Sequence, residues 1–92
     1  MKIIGILIKE TGEIIYSRSH HDMRMDSSGK YGIDGGQNGD YCRITGAPDG
    51  YMKIMFDLAI TQNDLTHDYS NRTNKYGLIK PMDECKYVVL KS

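Results

Sequence analysis

Residues Ile3 to Lys9 constrain the fold first. They form a short apolar run, rich in branched side chains and bounded by charge, which is the pattern of a strand covered on both faces. The run is too short to span a membrane, and no small-residue cleavage site follows it. Glu10-Thr11-Gly12-Glu13 reads as a turn in which Gly12 supplies positive φ. Ile14-Ile15-Tyr16 then continues as a second strand, so the two runs are expected to form a hairpin.

The clearest alternation lies at Tyr51 to Leu58. Met52, Ile54, Phe56 and Leu58 share one face and are expected to point to the core, while Tyr51, Lys53, Met55 and Asp57 share the other. Lys30-Tyr31-Gly32-Ile33 and Tyr41-Cys42-Arg43-Ile44 read as short strands. Between them lies the glycine-rich loop Asp34 to Asp40. Ala47-Pro48-Asp49-Gly50 is a turn with Pro in a favourable position. Thr61-Gln62-Asn63-Asp64 resembles a capping sequence. It predicts a helix from Gln62 to Asn74, with Leu65 and Tyr69 on a narrow apolar face and Gly77 as its stop. Lys86 to Lys91 is expected to be a last strand. The sum is an α+β chain: one domain over residues 1–92, with a mostly antiparallel sheet of about five or six short strands and one covering helix.

Charge excludes some functions. Lys and Arg total 12, and Asp and Glu total 12. Non-specific nucleic-acid binding calls for a basic excess that this balance lacks. The two cysteines, Cys42 and Cys85, form neither a disulfide framework nor a C-x-x-C pair. Cys42 sits in a predicted strand, and alternation sets it against Arg43, so it does not read as a nucleophile. Reduced thiols fit a cytoplasmic chain.

The segment Ser17 to Arg43 is hardest to explain as packing. His20-His21-Asp22 offers two imidazoles and a carboxylate, suited to acid–base work or to gripping a ligand, and equally to a polar turn. Asp34-Gly35-Gly36 permits unusual backbone geometry and close approach to main-chain N–H groups. No helix follows it, which argues against a Rossmann or P-loop phosphate site. Arg18, Arg24 and Arg43 flank these motifs, and Tyr31 and Tyr41 add ring faces. His20, His21, Asp22, Asp34, Asp40 and His67 carry metal-ligating atoms, but their spacing matches no closed ligand set, so no metal and no cofactor are expected.

Three blocks carry a resemblance: Ser17-Arg18-Ser19-His20-His21-Asp22-Met23-Arg24, then Ile33-Asp34-Gly35-Gly36, then Asp40-Tyr41-Cys42-Arg43-Ile44. Together with Gly12 to Ser17 they resemble a group of small tailed-phage accessory proteins of uncharacterised activity. The resemblance covers Gly12 to Arg43 and implies synthesis in the infected host's bacterial cytoplasm. It implies a counter-defence role and no particular reaction. Combined with the residues above, it suggests capture of a small anionic ligand, such as a nucleotide immune signal. Arg18, His20, His21, Asp22, Arg24, Asp34, Gly35, Gly36, Tyr41 and Arg43 would form the site, and a homo-oligomer would enclose the ligand. Two alternatives stand beside it. One is a phosphodiesterase-like hydrolase. The other is a protein-binding inhibitor of a host factor, in which the His/Asp/Gly segment is a rigid structural loop.

Overall fold

The computed structural model describes residues 1–90. Among these residues eight strands form in chain order: β1 (Lys2–Ile8), β2 (Ile14–Ile15), β3 (Arg24–Met25), β4 (Gly32–Gly35), β5 (Cys42–Thr45), β6 (Tyr51–Asp57), β7 (Leu78–Ile79) and β8 (Tyr87–Val89). A 3-10 turn at Pro48–Gly50 leads into β6, and the α-helix α1 (Gln62–Asn71) follows it. The fold is α+β, but the strands divide into two antiparallel sheets instead of one. The larger runs β7-β2-β1-β6-β8, and the smaller runs β3-β4-β5.

The apolar run of β1 explains the layering. Ile3 faces one side of the large sheet and packs with Ile14, Tyr16, Ile54, Phe56 and the helical Leu65. Ile6 and Ile8 face the other side and pack with Ile15, Tyr31 and Ile33 of the small-sheet region. The large sheet is therefore covered by α1 on one face and by the small sheet on the other. Tyr16 and Phe56 meet edge-to-face at 5.5 Å in the first layer, and Tyr31 and Tyr51 at 6.1 Å in the second. A residue such as Tyr51 was expected on the non-core face of its strand. It packs nonetheless, because that face meets the small sheet. On the opposite face Ile54 and Phe56 are buried and Met52 and Leu58 only partly so, with Leu58 one residue beyond β6.

Two strands escaped the sequence pattern, β3 and β7. Each is two residues long, too short for alternation to register. The third strand also lies further along than expected, so Asp34 and Gly35 belong to β4 and not to the loop. The predicted capping box on α1 is present: Thr61 accepts from the Asp64 N–H, and the Asp64 side chain accepts from the Thr61 N–H. The helix ends at Asn71, three residues early and without the expected glycine. Arg72 takes the left-handed conformation there at φ 53°. Among the described residues no helix is long and apolar enough to cross a membrane. Of the predicted last strand, Tyr87–Val89 forms, and Lys91 lies outside the described residues.

Candidate functional site

The chain leaves β2 into the polar stretch that the sequence singled out, and there the fold is held by charge. The Arg18 Nε donates to Asp22 Oδ2 at 2.8 Å, and its Nη1 donates to Asp68 Oδ2 at 2.9 Å. The three residues are 5%, 8% and 2% exposed. The Arg18 guanidinium also lies 5.4 Å from the Tyr69 ring centre, and the Arg18 carbonyl accepts from Gln62 Nε2 at 3.2 Å. Arg18 thus clamps α1 to the segment, with its charge balanced by two buried carboxylates. The hydrogen bond with Asp22 raises the Arg18 pKa against the opposing effect of burial, and Asp68 adds to it. Burial alone would raise the Asp68 carboxyl. Hydrogen bonds from the Thr73 hydroxyl, Arg18 and the Lys75 and Tyr76 backbone N–H groups outweigh that and hold it well below the usual carboxylate range.

The glycine pair makes a main-chain splice. Ile4 turns its N–H away from β6 and, beyond the end of β2, donates it to the Gly36 carbonyl at 2.9 Å. Gln37 forms an isolated bridge with Ile3. The Gly36 N–H donates to the Tyr41 carbonyl at 3.1 Å. A Cβ on Gly36 would stand 2.7 Å from the Ile4 carbonyl oxygen, and one on Gly35 would stand 2.5 Å from that of Tyr41. Both residues have positive φ. Backbone packing therefore accounts for Gly35 and Gly36, and the Gly36 N–H is already engaged.

The ten residues expected to form one site fall into four places. Arg18 and Asp22 form the clamp. His20, Asp34, Gly35, Gly36, Tyr41 and Arg43 gather at the β4–β5 turn. Arg24 lies apart, its Nε 2.7 Å from where a Cβ on Gly77 would be. His20 Nε2 stands 3.9 Å from Asp40 Oδ2, both side chains being more than half exposed, which is beyond hydrogen-bond reach. The His21 side chain is exposed, and its carbonyl accepts from the Tyr69 hydroxyl at 3.5 Å. Among the described residues, no group of three or more His, Cys, Asp or Glu is placed to hold a metal ion. Burial raises the pKa of both Cys42 and Cys85.

The outer face of the small sheet has a distinct composition. Asp34 and Arg43 are cross-strand partners, with Arg43 Nη2 donating to Asp34 Oδ2 at 3.2 Å. The Asp34 side chain is 8% exposed and that of Arg43 66%. The sulfurs of Met25 and Met23 lie 2.5 and 3.1 Å from the position a Cβ on Gly32 would occupy, on the same face, since Gly32 and Asp34 are two residues apart. Met23 and Met25 are 39% and 41% exposed, and Tyr41, two residues before Arg43, is 73% exposed.

Concavities also mark the surface. A polar one of about 400 Å³ is lined by Arg18, Tyr69, Ser70, Arg72 and Asn74. A larger apolar one of about 790 Å³ lies away from the Ser17–Arg43 segment, with Phe56, Leu58, Ile79, Cys85 and Tyr87 among its walls.

Sequence reasoning missed Asp68 and Gln37, and it read Tyr69 only as part of the apolar helix face. Asp68 carried a usable signal, because it follows Leu65 by three and so lies on the buried helix face. Gln37, which donates to the Ser17 carbonyl at 2.8 Å, carried none. In comparisons with known proteins, no family model matches this chain, and no curated protein or solved structure matches it significantly.

Proposed function

We propose that this chain is a protein-binding module whose docking surface is the outer face of the small sheet, centred on Met23, Met25, Tyr41 and Arg43. The observation that carries the reading is the co-exposure of those four residues on the small sheet. Met, Tyr and Arg are the residue types enriched in interface cores, and Arg and Tyr dominate binding hot spots. Methionine adapts to an irregular partner surface, and the absence of a side chain on Gly32 lets both sulfurs lie over it. The clamp of Arg18, Asp22 and Asp68 fits this role as a fixed frame behind the surface. The resemblance to tailed-phage accessory proteins gives the biological setting: a counter-defence factor acting on a host protein in the bacterial cytoplasm.

The test is affinity purification of the full chain from a bacterial lysate, beside a double variant, Met23→Lys with Met25→Lys. A single partner in stoichiometric amount, lost with the variant, supports the reading. A partner retained by the variant, or no partner at all, counts against it.

A second reading has its own observation, the polar concavity of about 400 Å³ beside Arg18. That volume suits a small ligand, and Arg72 makes no ion pair among the described residues. In this reading the chain captures a compact anion such as a nucleotide signal, with Arg72 supplying the uncompensated charge and Tyr69 a ring face. The helix C-terminus beside it works against an anion. Thermal shift with a panel of linear and cyclic nucleotides checks it: a rise that Arg72→Ala removes supports capture, and a flat response across the panel counts against it.

A further inference from the structure

The edges of the two sheets are protected unequally. β7 has partly buried side chains and runs directly into Lys80-Pro81. β3 is two residues long and begins with Arg24, and β5 carries Arg43. Charge, proline and shortness are the usual protections of a sheet edge. Within β8 there is neither charge nor proline, and Lys86 immediately before it is the charge nearest the strand. Its residues Tyr87, Val88 and Val89 are 41%, 68% and 50% exposed, and among the described residues β6 is its sole neighbour.

The hydrogen-bond phase shows which groups of β8 are open. Val88 stands opposite Met55 and Val89 opposite Ile54, and the Leu90 N–H donates to the Lys53 carbonyl at 2.8 Å. Bonded and non-bonded pairs alternate in an antiparallel ladder. Leu90 and Val88 therefore turn their main-chain groups toward β6, while Tyr87 and Val89 turn theirs outward. An open N–H and C=O on each of two residues spaced by one is half of a bonded ladder.

We infer that β8 pairs antiparallel with β8 of a second copy, about a two-fold axis through Val88, joining the two large sheets into one. This goes beyond the proposed docking face, which lies on the other sheet, and stands whatever that face binds. In this register Tyr87 of each copy exchanges both main-chain bonds with Val89 of the other, so the open groups are mutually satisfied. Val88 meets Val88 of the second copy as the close, non-bonded pair. A short strand with outward groups on its first and last residues is complementary to itself in this way. Lys86 meets Leu90 of the second copy, so no like charges face each other across the junction. The formal net charge of zero adds no long-range repulsion between copies. The apolar concavity of about 790 Å³ borders Tyr87 and Val88, and a smaller one of about 280 Å³ borders Val89 and Leu90. The larger of the two is mostly apolar, so side chains of the second copy meet apolar ground at the Tyr87 end of the strand. One such interface closes under two-fold symmetry and yields a dimer, not a filament.

Sedimentation velocity on the full chain across a concentration series tests the inference, paired with Val88→Lys. The expected result is a dimer whose dissociation constant rises at least about tenfold in the variant, because two ammonium groups then meet at the axis. Val88 is exposed, so the substitution leaves the monomer folded, which circular dichroism checks. Amide hydrogen exchange on the unaltered chain is the second measurement: Tyr87 and Val89 become protected as concentration rises. A chain that stays monomeric overturns the inference, including one that holds a foreign strand at this edge. So does a dimer that Val88→Lys leaves intact, or fast exchange at Tyr87 and Val89 under conditions where the dimer is populated.

Discussion

Arg18 and Asp68 lie fifty positions apart in the chain and 2.9 Å apart in the fold. The pair joins the polar segment after β2 to the buried side of α1, where Leu65 and Asp68 are the helix's buried residues. A helix with a single buried leucine has little apolar surface with which to dock. The charged clamp supplies the specific orientation that packing alone would leave loose.

Removing one partner of a buried ion pair strands the others. Arg18→Ala leaves the Asp22 and Asp68 carboxylates in a low-dielectric setting without their shared cation. It is expected to cost about 3–5 kcal/mol, read as a lower urea midpoint with an unchanged slope. A loss under about 1 kcal/mol would show that Arg18 is a surface group in solution.

The Asp68 carboxyl gives the fold a defined acid response. Its folded pKa is depressed below the ordinary 3.8, so its contribution to stability is fully present above that value. The contribution falls away as pH drops below about 4 toward the folded pKa. Asp68→Asn is expected to be less stable at neutral pH and to lose less of its remaining stability below pH 4. Unfolding curves at stepped pH check this, and equal slopes for the two proteins would refute the assignment.

Gly36 and Gly29 separate two costs of a side chain. Both have positive φ, at 93° and 74°, but nothing lies within 4 Å of a Cβ on Gly29, whereas one on Gly36 would stand 2.7 Å from the Ile4 carbonyl oxygen. Gly29→Ala is expected to cost about 1 kcal/mol, from backbone conformation alone. Gly36→Ala should cost clearly more, roughly 3 kcal/mol, because the splice between β1 and the β4–β5 turn must open. Thermal denaturation of the two variants side by side decides it.

Much of this architecture was legible in the residues. The apolar run at Ile3, the hairpin through Gly12, the alternation at Tyr51–Leu58 and the capping box at Thr61 each encode a local period or a local hydrogen bond. What was not legible depends on long-range partners. Nothing near Arg18 indicates that its charge is consumed by a helix fifty residues on, so it read as a free ligand-binding group. Asp34-Gly35-Gly36 read as a loop open to a ligand, because the close approach of Ile4 is a tertiary fact. Two-residue strands such as β7 exist only because β2 is there to pair with.

Arg43 carries the last prediction, because it has two candidate roles. Asp34 is nearly buried, and its Oδ1 has no hydrogen-bond partner among the described residues, so the bond from Arg43 to Oδ2 is the one that compensates its charge. Arg43→Ala is therefore expected to destabilise the fold by about 1 kcal/mol, less than a fully buried partner would, since the guanidinium is mostly in water. In the double variant with Asp34→Ala the cost of losing Arg43 should shrink, which a double-mutant cycle measures as a coupling between the two. Met25→Lys, with no such partner, should change stability by no more than about 0.5 kcal/mol. If Arg43→Ala weakens partner capture by more than this stability loss accounts for, the guanidinium acts directly at the interface. If capture falls only in step with stability, Arg43 serves by holding Asp34, and the docking surface reduces to the two methionines and Tyr41.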